Sequence, residues 1–581
     1  MAKPQVLSIE TMQRLIGVAR KREKADLVLS GAQIIDVFAG KIERKDVAIV
    51  GEYIAAVGKG FPSEESIDLT GSFILPGFID AHIHVESSML SPVEFTRAVL
   101  PRGTTAVIWD PHEMANVGGV DAVEALLEAA SDLPLDFFFT APSCVPATGM
   151  ETSGAGLGLT ELKRLFEREE VLALGEVMNY PAVLEGDESV LKKVQLALCM
   201  GKRVDGHAPG LMNEDVSAYC APGITSDHEC TNLMEAEEKL KRGMYIMIRE
   251  GSTAKNMSSI VPLVRAYGVS RFTLVSDDRT PVDLLNEGHV DFLLRKAVYL
   301  GMAPNLAVRM VTFNPAFYYD LKRRGAVAPG YLADIAVVDD INRFNVSLVL
   351  KGGKVVAREG EMVVPIRKET VLDFRDSVQV RLSPEPFRVT HRVGKKIRVI
   401  TLTENELVTG EEHHIPLVEG ENVVSDTARD ILKLAVVERH RGTGNVGVGF
   451  VQGFGLKRGA IASSVAHDSH NILVLGVNDP DMELAVKAVA EMGGGQVVVD
   501  EGKVVSSLPL PIAGLLSDRS LSWVARRCQE VNQAAAALGA KGGSPFMQLS
   551  FLALPVIPSL KLTDRGLVDV NNFSFVDIFV D

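Results

Sequence analysis

The sequence predicts an α/β protein: a (β/α)8 TIM-type barrel inserted in a small β-sandwich domain, followed by a C-terminal α/β domain. Three observations predict it. Short apolar runs alternate with helical patterns eight times between residues 73 and 324. A strand-rich style that precedes this region returns after it. The character of the chain then changes near residue 370.

The alternating region carries most of the information. Its strand-like runs are FILPGFIDAHIH, TTAVIWDPHE, LDFFFTAPS, VLALGEVMN, KRVDGHAPG, GITSDHE, MYIMIREGS and RFTLVSDD. Between them, segments such as VDAVEALLEAA and NLMEAEEKLKRG place apolar residues at helical spacing, and several end at Gly. Eight strand–helix units over roughly 250 residues suit a closed barrel. An open doubly wound sheet is the alternative, but nothing in that fold stops it at eight units. On either side, Ala25–Gly58 and Tyr331–Gly360 alternate β-branched runs with Gly and charged turns, which predicts one small β-domain built from both flanks. The expected divisions are 1–72 (a partly helical lead-in and the first part of the β-domain), 73–324 (the barrel), 325–369 (the rest of the β-domain) and 370–581 (the C-terminal domain).

At 581 residues the chain is too long for one hydrophobic core. A formal net charge of −15 argues against a nucleic-acid backbone as partner, because phosphate binding needs a basic face. The five cysteines form no C-x-x-C pair, which suggests free thiols in a reducing compartment. The start, MAKPQVLSIE, lacks the pattern of a signal peptide, and no apolar run approaches membrane-spanning length. A cytoplasmic enzyme without a membrane partner is the expectation, with a homodimer as the prior for its assembly.

The chemistry sits where strand-like runs end. The first run carries His82 and His84, and residues two apart on a strand point to the same face, so both imidazoles reach one ion. Later runs end with Glu176, His207, His228 and Asp277. Taken singly, each has an ordinary reading as a core, surface or turn residue. As a set they differ: of 12 histidines, His82, His84, His112, His207 and His228 fall at strand ends, the usual place for barrel active sites. Two His, a carboxylate, two His and an Asp suffice for two adjacent divalent ions, with Glu176 as the bridge. The cytidine-deaminase type of zinc site is excluded, since H-x-E with P-C-x-x-C is missing, as are H-E-x-x-H and the P-loop pattern.

PGFIDAHIH, the later single histidines, the terminal Asp and the split β-domain resemble the amidohydrolase superfamily. Within it, HIHVESSM, DPHEMANVGG, GEVMNY, DGHAPG, TSDHE, REGS and SDDR resemble the adenine deaminases, as do AHDSHN and LPLPIAGLLSD near the C-terminus. Many superfamily members carry a carboxylated lysine where this chain has Glu176, which weakens the hydantoinase and dihydroorotase readings. The resemblance implies hydrolysis of adenine to hypoxanthine and ammonia in purine salvage or catabolism. It favours Mn²⁺ or Fe²⁺, though the ligand types also suit Zn²⁺. Another amidohydrolase reaction, on a cyclic amide or N-acyl substrate, is the alternative.

Two ions would lower the pKa of a shared water, and the hydroxide so formed would attack C6 of adenine. Proton shuttling then falls to Asp277 as base. Glu250, Glu113, Glu86 and Asp278 are candidate acids or purine-binding groups. In DPHE, Asp110 is expected near substrate, and His112 is expected to bind substrate, support the metals or orient Glu113. His467 and Asp468 of AHDSHN are expected to reach over the barrel mouth; a capping turn is the plainer reading. Trp109 is either a stacking platform or core.

Overall fold

The computed structural model describes residues 6–366, 374–403 and 408–581. Consecutive apolar runs become parallel strands: β1 (Phe78–His84), β2 (Thr104–Trp109), β3 (Asp136–Ala141), β4 (Val171–Val177), β5 (Arg203–Gly206), β6 (Ser226–Asp227), β7 (Tyr245–Arg249), β8 (Phe272–Val275) and the two-residue β9 (Asp277–Asp278). β1 to β5 stand side by side in sequence order, and β9 pairs with the free edge of β1, making six strands. β6, β7 and β8 form a second parallel sheet. Only Ser276 separates β8 from β9, so the last strand-like run spans both sheets. β1 and β2 are buried along their whole length, as parallel strands covered by helices must be.

The first run is two strands rather than the single barrel strand read from FILPGFIDAHIH. Phe73–Pro76 pairs with Gln33–Asp36 and with Ile335–Val338, and only Phe78 onward pairs with β2. Gly77 makes the joint: a Cβ there would lie 2.3 Å from Thr105 Oγ1, so a larger residue would force the strands apart. The break is invisible to hydrophobicity because both halves are apolar.

Phe73–Pro76 belongs to a seven-stranded sheet that draws on both flanks, with Lys41–Arg44 at one edge and Glu361–Met362 at the other. A four-stranded sheet of Tyr53–Gly58, Asp46–Val50, Ala25–Ser30 and Ser63–Asp68 faces it. Leu29, Ile34, Ile49, Ile74, Ile335 and Leu350 share one core between them. The division expected between residues 369 and 370 lies outside the described residues.

The C-terminal region is a nine-stranded, mostly antiparallel sheet with the helix Asp479–Glu491 packed on it through Met482, Val486 and Val489. The segment VVERHRG, read as a strand, is one only to Val437. AHDSHN (466–471) connects the neighbouring strands Ala460–Ser463 and Ile472–Gly476. Met114 and Leu126, which pack around the parallel strands, share a core with Leu434 and Leu473 of this sheet. Asn471 Nδ2 donates to Thr152 O at 2.8 Å across the junction. Among the described residues no helix is long and apolar enough to cross a membrane.

Candidate active site

The carboxyl ends of the parallel strands converge on one buried cluster. His82 and His84 lie on β1, Glu176 on β4 and Asp277 on β9; His207 and His228 follow β5 and β6 directly. Glu176 is at the centre: its Oε2 lies 2.8 Å from His207 Nδ1 and 3.0 Å from His228 Nε2, and its Oε1 lies 3.4 Å from His84 Nε2. Asp277 Oδ1 lies 3.1 Å from His84 Nε2 and 3.4 Å from His82 Nε2. The rings of His82 and His228 stack at 3.9 Å. Three overlapping groups (His82, His228 and Asp277; His82, His84 and Glu176; Glu176, His207 and His228) bring ligand atoms within 4.8 Å of one another.

This donor set fits divalent ions. His84 Nδ1 donates to Asp110 O at 3.0 Å, which leaves the lone pair of Nε2 facing the cluster. His82 Nε2 is buried and has no hydrogen-bond partner, a costly state for a polar atom that a bound cation would relieve. Burial alone would push the Glu176 carboxyl up, but His207 and His228 hold it well below the usual range. Asp277 behaves likewise: against burial, Arg249 and the two β1 imidazoles hold it well below.

A second cluster adjoins the first. His112 and Glu113 are the first residues of the helix His112–Ala130. His112 Nδ1 lies 3.3 Å from Glu176 Oε1, and its Nε2 lies 3.7 Å from Asp468 Oδ1 of the C-terminal region. Glu113 Oε1 is 3.5 Å from His467 Nδ1, and Oε2 is 3.7 Å from His470 Nε2. Burial, then the nearby Glu86, push the Glu113 carboxyl well above its usual range. Asp278 accepts a 2.5 Å hydrogen bond from Ser87 Oγ, which also lies 3.5 Å from Glu113 Oε1. His467 stacks on Phe551 at 4.4 Å.

Three predicted site residues are occupied elsewhere. Glu250 is fully buried, but one oxygen pairs with Lys296 and the other accepts from Met257 N. Those bonds anchor the next helix and leave no oxygen for an acid's role. Glu86 accepts from Trp109 Nε1 at 2.6 Å and Met114 N at 3.2 Å. Asp110 Oδ2 accepts from Glu176 N at 3.0 Å, so it positions the central carboxylate. Trp109, fully buried and stacked on Phe139, is core.

Two charged residues at the site escaped the sequence reading. Arg249 ends β7 and donates to Asp277 Oδ2 at 2.5 Å and, through Nη2, to Glu229 Oε1 at 2.7 Å. The signal was available: a cation closing the buried run YIMIR needs a partner.

Residues 73–356 match the amidohydrolase family, and residues 406–574 match the adenine deaminase C-terminal domain. An adenine deaminase of Desulfatibacillum aliphaticivorans is 48% identical over 571 residues, spanning 97% of this chain and 99% of its own length. One of Methanothrix thermoacetophila is 48% identical over 573 residues, spanning 98% and 100%. Among solved structures, the beta-aspartyl dipeptidase of Fervidobacterium islandicum AW-1 aligns with 59% of this chain and 99% of its own, at 18% identity and a TM-score of 0.47. Relatives that match from end to end, the C-terminal region included, make the chain a member of the adenine deaminase family.

Proposed function

We propose that this protein hydrolyses adenine to hypoxanthine and ammonia, in purine salvage or catabolism in the cytoplasm. In this reading the parallel strands close as a (β/α)8 barrel from Phe78 to about residue 324, inserted between the two parts of the small β-domain. His82, His84, Glu176, His207, His228 and Asp277 hold two divalent ions, Mn²⁺ or Fe²⁺. The observation that carries it is the convergence of these six side chains around Glu176, in a chain whose relatives bear that activity in their names.

When bound, the ions supply an acidified water at neutral pH. The chain's own residues then manage protons and substrate. Asp277, whose Oδ2 is held by Arg249, takes the proton. Glu113, kept as an acid by burial, donates toward the purine ring. His467 and Asp468 close the mouth above it, with His112 between Asp468 and Glu176. Asp278, fixed by Ser87, borders the same space.

The test is ammonia release from adenine by protein stripped of metal and reloaded with Mn²⁺ or Fe²⁺. Reloaded protein is expected to turn over and stripped protein to be inactive. Fully loaded protein that leaves adenine intact but opens a cyclic amide or N-acyl substrate would overturn the reading.

A further inference from the structure

Arg249 is 5% exposed and lies between two carboxylates. Its Nη2 donates to Glu229 Oε1 at 2.7 Å, and its Nη1 stands 2.5 Å from Glu229 Oε2. Nη1 also donates to Asp277 Oδ2 at 2.5 Å. A guanidinium held on both its terminal nitrogens is fixed in plane as well as in position, which an ammonium is not.

Asp277 needs such a fixture. Its backbone is left-handed, with φ at +53°, so the side chain leaves the strand in a direction that regular alternation does not set. Rotation about the last side-chain bond of an aspartate is soft, so by itself the carboxylate could turn either oxygen, or both, to the cluster. In the structure the two oxygens are divided. Oδ2 belongs to Arg249, and Oδ1 alone faces His82 Nε2 and His84 Nε2. Glu229 directly follows His228, so the three charged groups tie together the ends of β6, β7 and β9.

We infer that Glu229 and Arg249 form a clamp that makes Asp277 a one-oxygen metal ligand. Arg249 is thus a positioning residue: it presents Oδ1 to the ion near His82 and His84 and withholds Oδ2. This rests on the two-metal reading above. It goes further in assigning one of the two ions to the clamp's control.

Removing Arg249 alone would strand two buried carboxylates and endanger folding. The test therefore uses Glu229→Gln with Arg249→Ala, which removes one charge of each sign, and Arg249→Lys, which keeps the charge and loses the fork. Mn²⁺ is titrated calorimetrically into stripped protein. Wild type is expected to take two Mn²⁺. The double variant is expected to bind one as before and the other about 10–100-fold more weakly, the usual cost of losing a group that orients a ligand, with Arg249→Lys between. Ammonia release should fall in kcat more than in KM, and guanidinium at non-denaturing concentration should restore part of it to the double variant. Unchanged affinity for both ions, or equal weakening of both, would overturn the clamp. The two readings fail separately. Loaded wild type that is inert toward adenine would sink the proposed reaction, while the Mn²⁺ affinities would still decide the clamp.

Discussion

Two clusters of imidazole and carboxylate lie side by side beyond the strand ends. Around Glu176, contacts run from 2.8 to 3.4 Å, and His84 faces inward with the lone pair of Nε2 to give. Around Glu113, contacts stretch to 3.5 and 3.7 Å. There, Ala466 N donates to His470 Nδ1 at 3.1 Å, so the neutral ring carries its hydrogen on Nε2, the atom that faces Glu113. Residue types alone would make both clusters metal sites. One backbone hydrogen bond on the far side of a ring separates them: His84 gives a proton to a carbonyl and can ligate, while His470 takes one from an amide and can only donate.

The largest effect expected from breaking this contrast is at Asp277. Asp277→Asn should cost at least about a hundredfold in turnover, because an amide cannot carry the proton. Asp278→Asn should cost less, since that carboxylate is held by Ser87 in the second cluster. Ammonia release and metal content, measured on the same samples, decide the order. A larger loss from Asp278→Asn would move the base to the second cluster.

Glu113→Gln sharpens the comparison. Turnover should fall about tenfold to a hundredfold, near the lower end for a lost proton donor, while two Mn²⁺ per subunit remain. A bound ion lost with Glu113 would make the second cluster a metal site after all. His470→Phe should leave metal content unchanged and lower stability by about 1–3 kcal/mol, because Ala466 N loses its buried acceptor; a denaturant midpoint measures it.

The smallest effect lies beneath the second cluster. Lys561, fully buried, donates to Phe551 O at 3.2 Å, and the Phe551 ring stacks on His467. Burial pushes the Lys561 ammonium down to about 7, against roughly 10.4 in an unfolded chain. Between these values the unfolded chain binds the extra proton. Lys561 therefore destabilises the fold fully below about pH 7, and its cost fades as pH rises toward 10. Lys561→Met should raise stability at pH 6 by on the order of 1 kcal/mol and change little at pH 9.5. Equal effects at both pH values would show that burial of charge is not the cause.

Much of the first cluster was legible in the sequence because strand ends impose it. The H-x-H spacing, Glu176, and His207 and His228 just past their strands need only alternation and parallel order to converge. Where the backbone leaves regular geometry, legibility ended. Alternation turns Asp278 away from the metal side, but at a left-handed Asp277 that rule has no footing. Glu250 looked free in REGS because its partner Lys296 lies 46 residues away, and Arg249 was passed over for its acidic neighbour. That AHDSHN meets Glu113 depends on how a C-terminal sheet packs against distant helices, which no local pattern encodes.

The joint at Gly77 has a consequence for the order in which this protein can be made. The strand that carries His82 and His84 continues directly from Phe73–Pro76, whose antiparallel partner is Ile335–Val338. A ribosome releases that partner some 250 residues after the histidines. Asp277 also emerges late, and the loop above Glu113 later still. Domains of this size begin to fold during synthesis, yet here the segment that leads into the strand with the first two ligands stays unpaired on one side until Ile335–Val338 emerges. Metal uptake should therefore be an event of the nearly finished chain, and stalled translation products ending before residue 335 should emerge without it.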